Sequence, residues 1–68
     1  MSGYPPEALL FETEGLGLVE AVGLLGWAIE ARPVPDDWGF VHFFRPSELT
    51  PLTPAAEEFL QAFKEGLE

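Results

Sequence analysis

The residues best placed to bind a small ligand are Thr13, Glu14 and Gly15. Their pattern predicts a helix start, with Thr13 as the N-cap and Glu14 in the first turn. The free N–H groups of a helix N-terminus bind anions, so a small carboxylate could be held there. Plain helix capping explains the same residues, and Glu12 and Glu14 already place negative charge at this point. A ligand site is therefore the alternative to a capping role.

The other chemically active side chains lack the partners that catalysis or metal binding needs. The chain has one histidine, His42, and no cysteine, so neither a thiolate site nor a zinc site is predicted. We expect His42 to pack in a strand. Asp36 and Asp37 could join Glu30 or Glu48 around a divalent cation, but they resemble a solvated turn more closely. The prediction is a chain that is not an enzyme and holds no cofactor or metal.

Charge and length restrict the partners. The 68 residues carry a formal net charge of −9, which repels phosphate groups, so neither nucleic acid nor an anionic membrane is expected. No secretory signal or bilayer span is recognised, and a cytoplasmic location is expected. The composition is compatible with a thermophilic source. A domain this small has a marginal core, so self-association is the expected source of extra stability.

The predicted organisation is one domain over residues 1–68, with an extended lead over residues 1–7. The first half predicts a strand over residues 8–13, a helix over residues 14–25 and a strand over residues 27–31. Apolar residues recur at helical spacing in the helix, although its glycines weaken it by roughly 1 kcal/mol each. Those apolar residues are Leu18, Val19, Val22 and Leu25, and the glycines are Gly15, Gly17 and Gly23.

The second half predicts a strand over residues 38–45 and a final helix from about Pro54 to Glu65. The strand is apolar on both faces, so we expect it to be shielded from water. Thr53 is the predicted N-cap of the helix, and Pro54 suits its first position. Its apolar stripe consists of Ala56, Phe59, Leu60, Phe63 and Leu67. The expected class is α+β or α/β, a small β-α-β-β-α unit with two helices packed on a short sheet.

The order of these motifs resembles the C-terminal part of the effector-binding domain of LysR-type transcriptional regulators. That family has a strand ending in an E-T-D-S-like segment, a helix, and a G-x-G-I segment with a proline four residues after the isoleucine. Glu12-Thr13-Glu14-Gly15, Gly26-Trp27-Ala28-Ile29 and Pro33 match these in order. Leu52-Thr53-Pro54-Ala55 resembles the opening of the family's final helix.

The resemblance also has departures. Gly15 stands where the family commonly has serine, and Ala28 replaces the second glycine. The resemblance extends only to about the last quarter of such a regulator, without the winged helix-turn-helix that binds DNA. It therefore implies a fragment of an effector domain and not a DNA-binding protein.

The aromatic residues of the middle segment are the last candidates for function. They form a hydrophobic core or, because so small a domain has little interior, an interface; Trp38, Phe40 and Phe43 are the predicted interface residues. The expected function is that of a non-enzymatic, LysR effector-domain-like protein that acts by self-association as a homodimer or by binding a protein partner. The alternatives are a small-molecule binding module and an acidic, antitoxin-like inhibitor of a basic protein.

Overall fold

The fold is an antiparallel sheet with one helix on one of its faces. The computed structural model of the protein describes residues 4–34 and 40–66. In chain order the elements are β1 (Leu10–Thr13), β2 (Gly17–Leu25), β3 (Ala28–Pro33), β4 (His42–Phe44), a 3-10 turn (Pro46–Glu48), β5 (Thr50–Pro51) and α1 (Pro54–Gly66). The five strands lie in the order β4-β3-β2-β1-β5, and every neighbouring pair is antiparallel.

The predicted β-α-β-β-α unit with two helices on a short sheet is wrong. In the described residues α1 is the one α-helix, and the segment predicted to be a helix over residues 14–25 is a turn followed by β2. Burial in β2 alternates, because Val19 and Ala21 are buried whereas Glu20 is only half-buried and Val22 is exposed. That period of two is the period of a strand. The glycines that weaken a helix here leave pairing with β1 and β3 as the more stable arrangement.

The turn between β2 and β3 consists of two residues, Gly26 and Trp27. Gly26 has a φ of +58°, and no described residue other than glycine has a positive φ. A positive φ at the first turn residue and not at the second is the pattern of a type II′ turn, which suits the twist of a hairpin. The glycine that directly follows the predicted helix over residues 14–25 therefore joins two paired strands.

The core lies between one face of the sheet and α1. Its largest fully buried side chains are Phe11, Val19 and Ile29, which come from the three central strands. Ala56 and Leu60 are the buried residues of α1, and they pack against this set. Phe59 also reaches the core, with its ring centroid 6.2 Å from that of Phe11.

The predicted bounds of the terminal helix are confirmed, because α1 begins at Pro54 and ends one residue beyond the expected Glu65. Of its predicted apolar stripe, Ala56 and Leu60 are buried, Phe59 and Phe63 are half-buried, and Leu67 lies outside the described residues. Thr53 caps it: its hydroxyl accepts a hydrogen bond from the N–H of Ala56 at 3.1 Å and donates to the carbonyl of Ala8. The cap therefore also ties the helix to the segment before β1.

The predicted strand over residues 38–45 is much shorter in the structure, and it is not shielded from water. Trp38 lies outside the described residues, and β4 contains only three residues. Of residues 40–44, the first four are exposed and only Phe44 is half-buried. The exposed residues are Phe40, Val41, His42 and Phe43. His42 lies in a strand as expected, but it is exposed and not packed, because β4 is an edge strand.

Replacing Leu60 by alanine should lower the free energy of unfolding by about 2–5 kcal/mol, because it removes a buried side chain between α1 and the sheet. Urea denaturation followed by circular dichroism measures this. Gln61→Ala is the control on the exposed side of α1, and its effect should stay within about 0.5 kcal/mol. Equal stability of the two variants would contradict the assigned core.

Replacing Gly26 by L-alanine should destabilise the fold by about 1–2 kcal/mol, since an L-residue is strained at this positive φ. The chain is short enough for chemical synthesis, and D-alanine at the same position should restore the melting midpoint. Gly15→Ala is the matched control: it has open space and no left-handed φ. A Gly26→Ala protein as stable as the Gly15→Ala protein would rule out the type II′ turn.

Candidate functional site

The predicted ligand residues Thr13, Glu14 and Gly15 lie together, but not at a helix start. They form the end of β1 and the turn into β2. They line one side of a hollow of about 700 Å³. The rest of its lining comes from β1, β4, the 3-10 turn and β5, and consists of Glu12, Phe44, Ser47, Glu48 and Thr50.

The hydroxyl of Thr13 is used inside the protein. It accepts a hydrogen bond from the N–H of Leu16 at 3.1 Å and donates one to the carbonyl of Gly17 at 3.1 Å. The side chain is only 7% exposed. Thr13 thus does in a turn what was expected of it at a helix start, because in both settings the hydroxyl accepts from a backbone N–H three residues later.

The charges around this hollow oppose the carboxylate ligand that the sequence suggested. Glu12, Glu14 and Glu48 line it, and no basic residue does. Glu48 also accepts a hydrogen bond from the backbone N–H of Arg45 at 2.8 Å, so one of its oxygens stabilises the 3-10 turn. Among the described residues, no group of three or more histidine or acidic side chains is arranged to hold a metal ion.

A second candidate surface lies at the other end of β2. Leu25, Trp27 and Phe43 line a shallow apolar hollow of about 410 Å³ together with Gly26 and Ala28; these five residues are called the tip surface below. Trp27 is 61% exposed, Leu25 59% and Phe43 50%. The register that places Phe43 opposite Glu30 brings β4 beside the β2–β3 turn.

The basic residues of the chain are also concentrated here. Arg45 and Lys64 line a groove of about 500 Å³ with Trp27, Pro46 and Ser47. The guanidinium carbon of Arg45 lies 5.5 Å from the centroid of the Trp27 ring. Trp27 therefore separates this groove from the hollow of the tip surface.

The sequence prediction named Phe43 as an interface residue and counted Trp27 among the aromatic candidates, but it missed Leu25 beside them and Arg45 and Lys64 in the adjoining groove. Trp27 was assigned to a strand, where a large apolar side chain is expected to be buried. The pair Gly26-Trp27 was the available signal, because a Gly-X pair between two apolar segments is typical of a hairpin turn, and a tryptophan in such a turn is exposed. Phe40 is exposed as well, and Trp38 lies outside the described residues.

Comparison with family models, curated proteins and solved structures found no match to this chain. The resemblance to LysR effector domains stays a prediction, although β2 occupies the place of the helix that it implied. In the part of the chain that the structure describes, no helix has the length and hydropathy needed to cross a membrane.

Replacing Thr13 by valine should cost about 1–3 kcal/mol of stability, because it leaves a backbone N–H and a carbonyl without their partner. Thr50→Val, at an exposed position around the same hollow, should change stability by no more than about 0.5 kcal/mol. Thermal unfolding of the two variants tests this. If Thr13→Val melted with the wild-type midpoint, the hydroxyl would not be the group that holds the turn.

Proposed function

We propose that this chain is a non-enzymatic association domain that forms a homodimer through the tip surface. The observation that supports the proposal is the exposure of Leu25, Trp27 and Phe43 around one apolar hollow. Isolated exposed apolar residues are ordinary on a soluble protein, but a contiguous group marks an interaction site. Tryptophan and phenylalanine are also residues on which interfaces depend strongly.

The area available suits a modest dimer. Taking about 200 Å² for each aromatic side chain, Trp27 and Phe43 together expose about 220 Å² of the tip surface. A stable interface buries about 800 Å² on each partner. These two aromatic residues therefore supply about a quarter of such an interface, and Leu25, which lines the same hollow, adds exposed apolar area.

The position of β4 also supports pairing with a second chain. β4 is at the edge of the sheet and has β3 as its one neighbour in the described structure. The outward N–H and C=O groups of an edge strand are free to pair with another strand. A second copy offers an identical edge, so two chains related by a two-fold axis can bury both apolar hollows at once.

Electrostatics favours the same surface. A chain with net charge −9 repels its own copies. None of the five residues that line the tip hollow is charged. Contact through the tip surface brings two copies together with the least electrostatic repulsion. Contact at the hollow around Thr13 would instead place acidic residues of the two copies opposite each other. The alternative of a carboxylate-binding module at Thr13, Glu14 and Gly15 is disfavoured by the acidic lining of that hollow, and the proposal does not depend on the LysR resemblance.

Replacing Phe43 by lysine should weaken dimerisation at least tenfold, since it places a charge in the apolar hollow. The substitution also lowers the net negative charge, so general repulsion between copies would decrease and cannot explain a loss of association. Sedimentation equilibrium at micromolar to submillimolar concentration measures the dimer fraction. Unfolding by urea, measured at a concentration where the wild type is monomeric, should show little change, because Phe43 is half exposed in the monomer.

Leu16→Lys is the matched control. Leu16 is also apolar and exposed, at 41%, but it lies in the β1–β2 turn, roughly 20 Å away along β2. The substitution makes the same charge change, and dimerisation should not weaken. A wild-type protein that stays monomeric throughout this range, or equal loss of dimer in both variants, would contradict the proposed function.

A further inference from the structure

The groove beside Trp27 is unusual because of the charge balance of the chain. Only three residues are lysine or arginine, against twelve aspartate and glutamate residues. Two of the three, Arg45 and Lys64, line this one groove, and no acidic residue from the described part of the chain lines it. Arg32, the third, lies on β3 with its guanidinium 3.8 Å from the carboxylate of Glu20.

Neither cation in the groove is paired with a carboxylate of the described residues, although carboxylates are abundant. Glu48, which follows closely on Arg45, accepts from the backbone N–H of that residue instead. Lys64 lies in the last turn of α1, where a positive charge also complements the helix dipole. That role accounts for Lys64 alone and does not explain why Arg45 shares the groove with it.

The geometry of Arg45 suits the recognition of a carboxylate. Its guanidinium lies over the face of Trp27, which restrains the side chain and leaves the N–H groups at the edge of the guanidinium plane free to donate. Such a plane binds a carboxylate through two parallel hydrogen bonds. The ammonium of Lys64 can bind a second carboxylate, and the hydroxyl of Ser47 offers a further polar contact.

We propose that this groove binds an acidic peptide segment of a partner protein, with two carboxylates separated by an apolar residue. The carboxylates contact Arg45 and Lys64, and the apolar side chain contacts Trp27 and Pro46. The volume of about 500 Å³ is in the range of ligand sites larger than a single small anion. Charge complementarity defines the position, because the rest of this acidic chain repels such a segment.

This site is additional to the proposed homodimer, and the two share only Trp27. The test is a titration of the full-length ¹⁵N-labelled chain with the peptide acetyl-Glu-Leu-Glu-Leu-Glu-amide. The indole N–H signal of Trp27, assigned with a Trp27→Phe variant, reports binding. The isosteric acetyl-Gln-Leu-Gln-Leu-Gln-amide is the ligand control, and sodium acetate at equal carboxylate concentration represents a free small anion.

We expect saturable shifts of the Trp27 indole signal with the acidic peptide, and none with the glutamine peptide or acetate. Arg45→Gln and Lys64→Gln should each weaken binding about tenfold, as the loss of a charge-assisted hydrogen bond implies. Arg32→Gln removes the same charge outside the groove and should bind as the wild type does. The Phe43→Lys variant should also bind, which separates this site from the dimer.

Three results would overturn the inference: equal binding of the glutamine peptide, equal binding of acetate, or a loss in Arg32→Gln as large as that in Arg45→Gln. The first would mean that the groove is only apolar, the second that it takes small carboxylates, and the third that the effect is general electrostatics. Peptide binding that vanishes in Phe43→Lys would place the site in the dimer interface and not in this groove. None of these outcomes bears on the dimer itself, which sedimentation measures independently.

Discussion

The structure depends on the antiparallel pairing of β2 with the strands on both sides of it. β1 pairs with the first part of β2, over Gly17–Glu20, whereas β3 pairs with it from Val19 to Leu25. Val19 and Glu20 are therefore paired on both sides, and Val19 is a core residue that packs under α1. The last part is held by β3 alone and extends beyond β1. Phe43 alternates along β4 with Phe44, which packs on the core, so Phe43 lies on the face of the sheet that α1 does not cover.

An element of this fold could be predicted from the sequence where its capping residues, its glycines and prolines, and its apolar spacing all indicate the same structure. For α1 they agree, because the cap at Thr53, Pro54 at the first position and the apolar stripe all indicate one helix. For β2 they conflict. Leu18, Val22 and Leu25 match a helical spacing, but the buried residues turn out to be Val19 and Ala21, which alternate. The segment forms a strand because β1 and β3 pair with it on its two sides. This is a tertiary effect, and a short-range sequence pattern does not contain it.

The candidate surfaces were less predictable because their residues are distant in sequence. Phe43 reaches the β2–β3 turn only through the β3–β4 register, and Lys64 reaches Trp27 only because α1 is docked on the sheet. Thr13 shows the opposite case. Its hydrogen-bonding role was inferred correctly although the element was wrong, since a threonine hydroxyl accepts from a nearby N–H in a turn as readily as at a helix cap.

The distribution of charge connects the fold to its proposed partners. The acidic residues Glu12, Glu14 and Glu48 surround the hollow near the β1–β2 turn, whereas the uncharged tip surface and the cations Arg45 and Lys64 lie around the β2–β3 turn. A net negative charge does not prevent two chains from associating if the surfaces that touch are neutral. The same charge disfavours contacts between the acidic parts of their surfaces. In a domain with so small a core, leaving Trp27 and Phe43 in water contributes nothing to the stability of the monomer. Their burial would become favourable in the proposed complexes, and the charge pattern favours contacts at this end of the sheet.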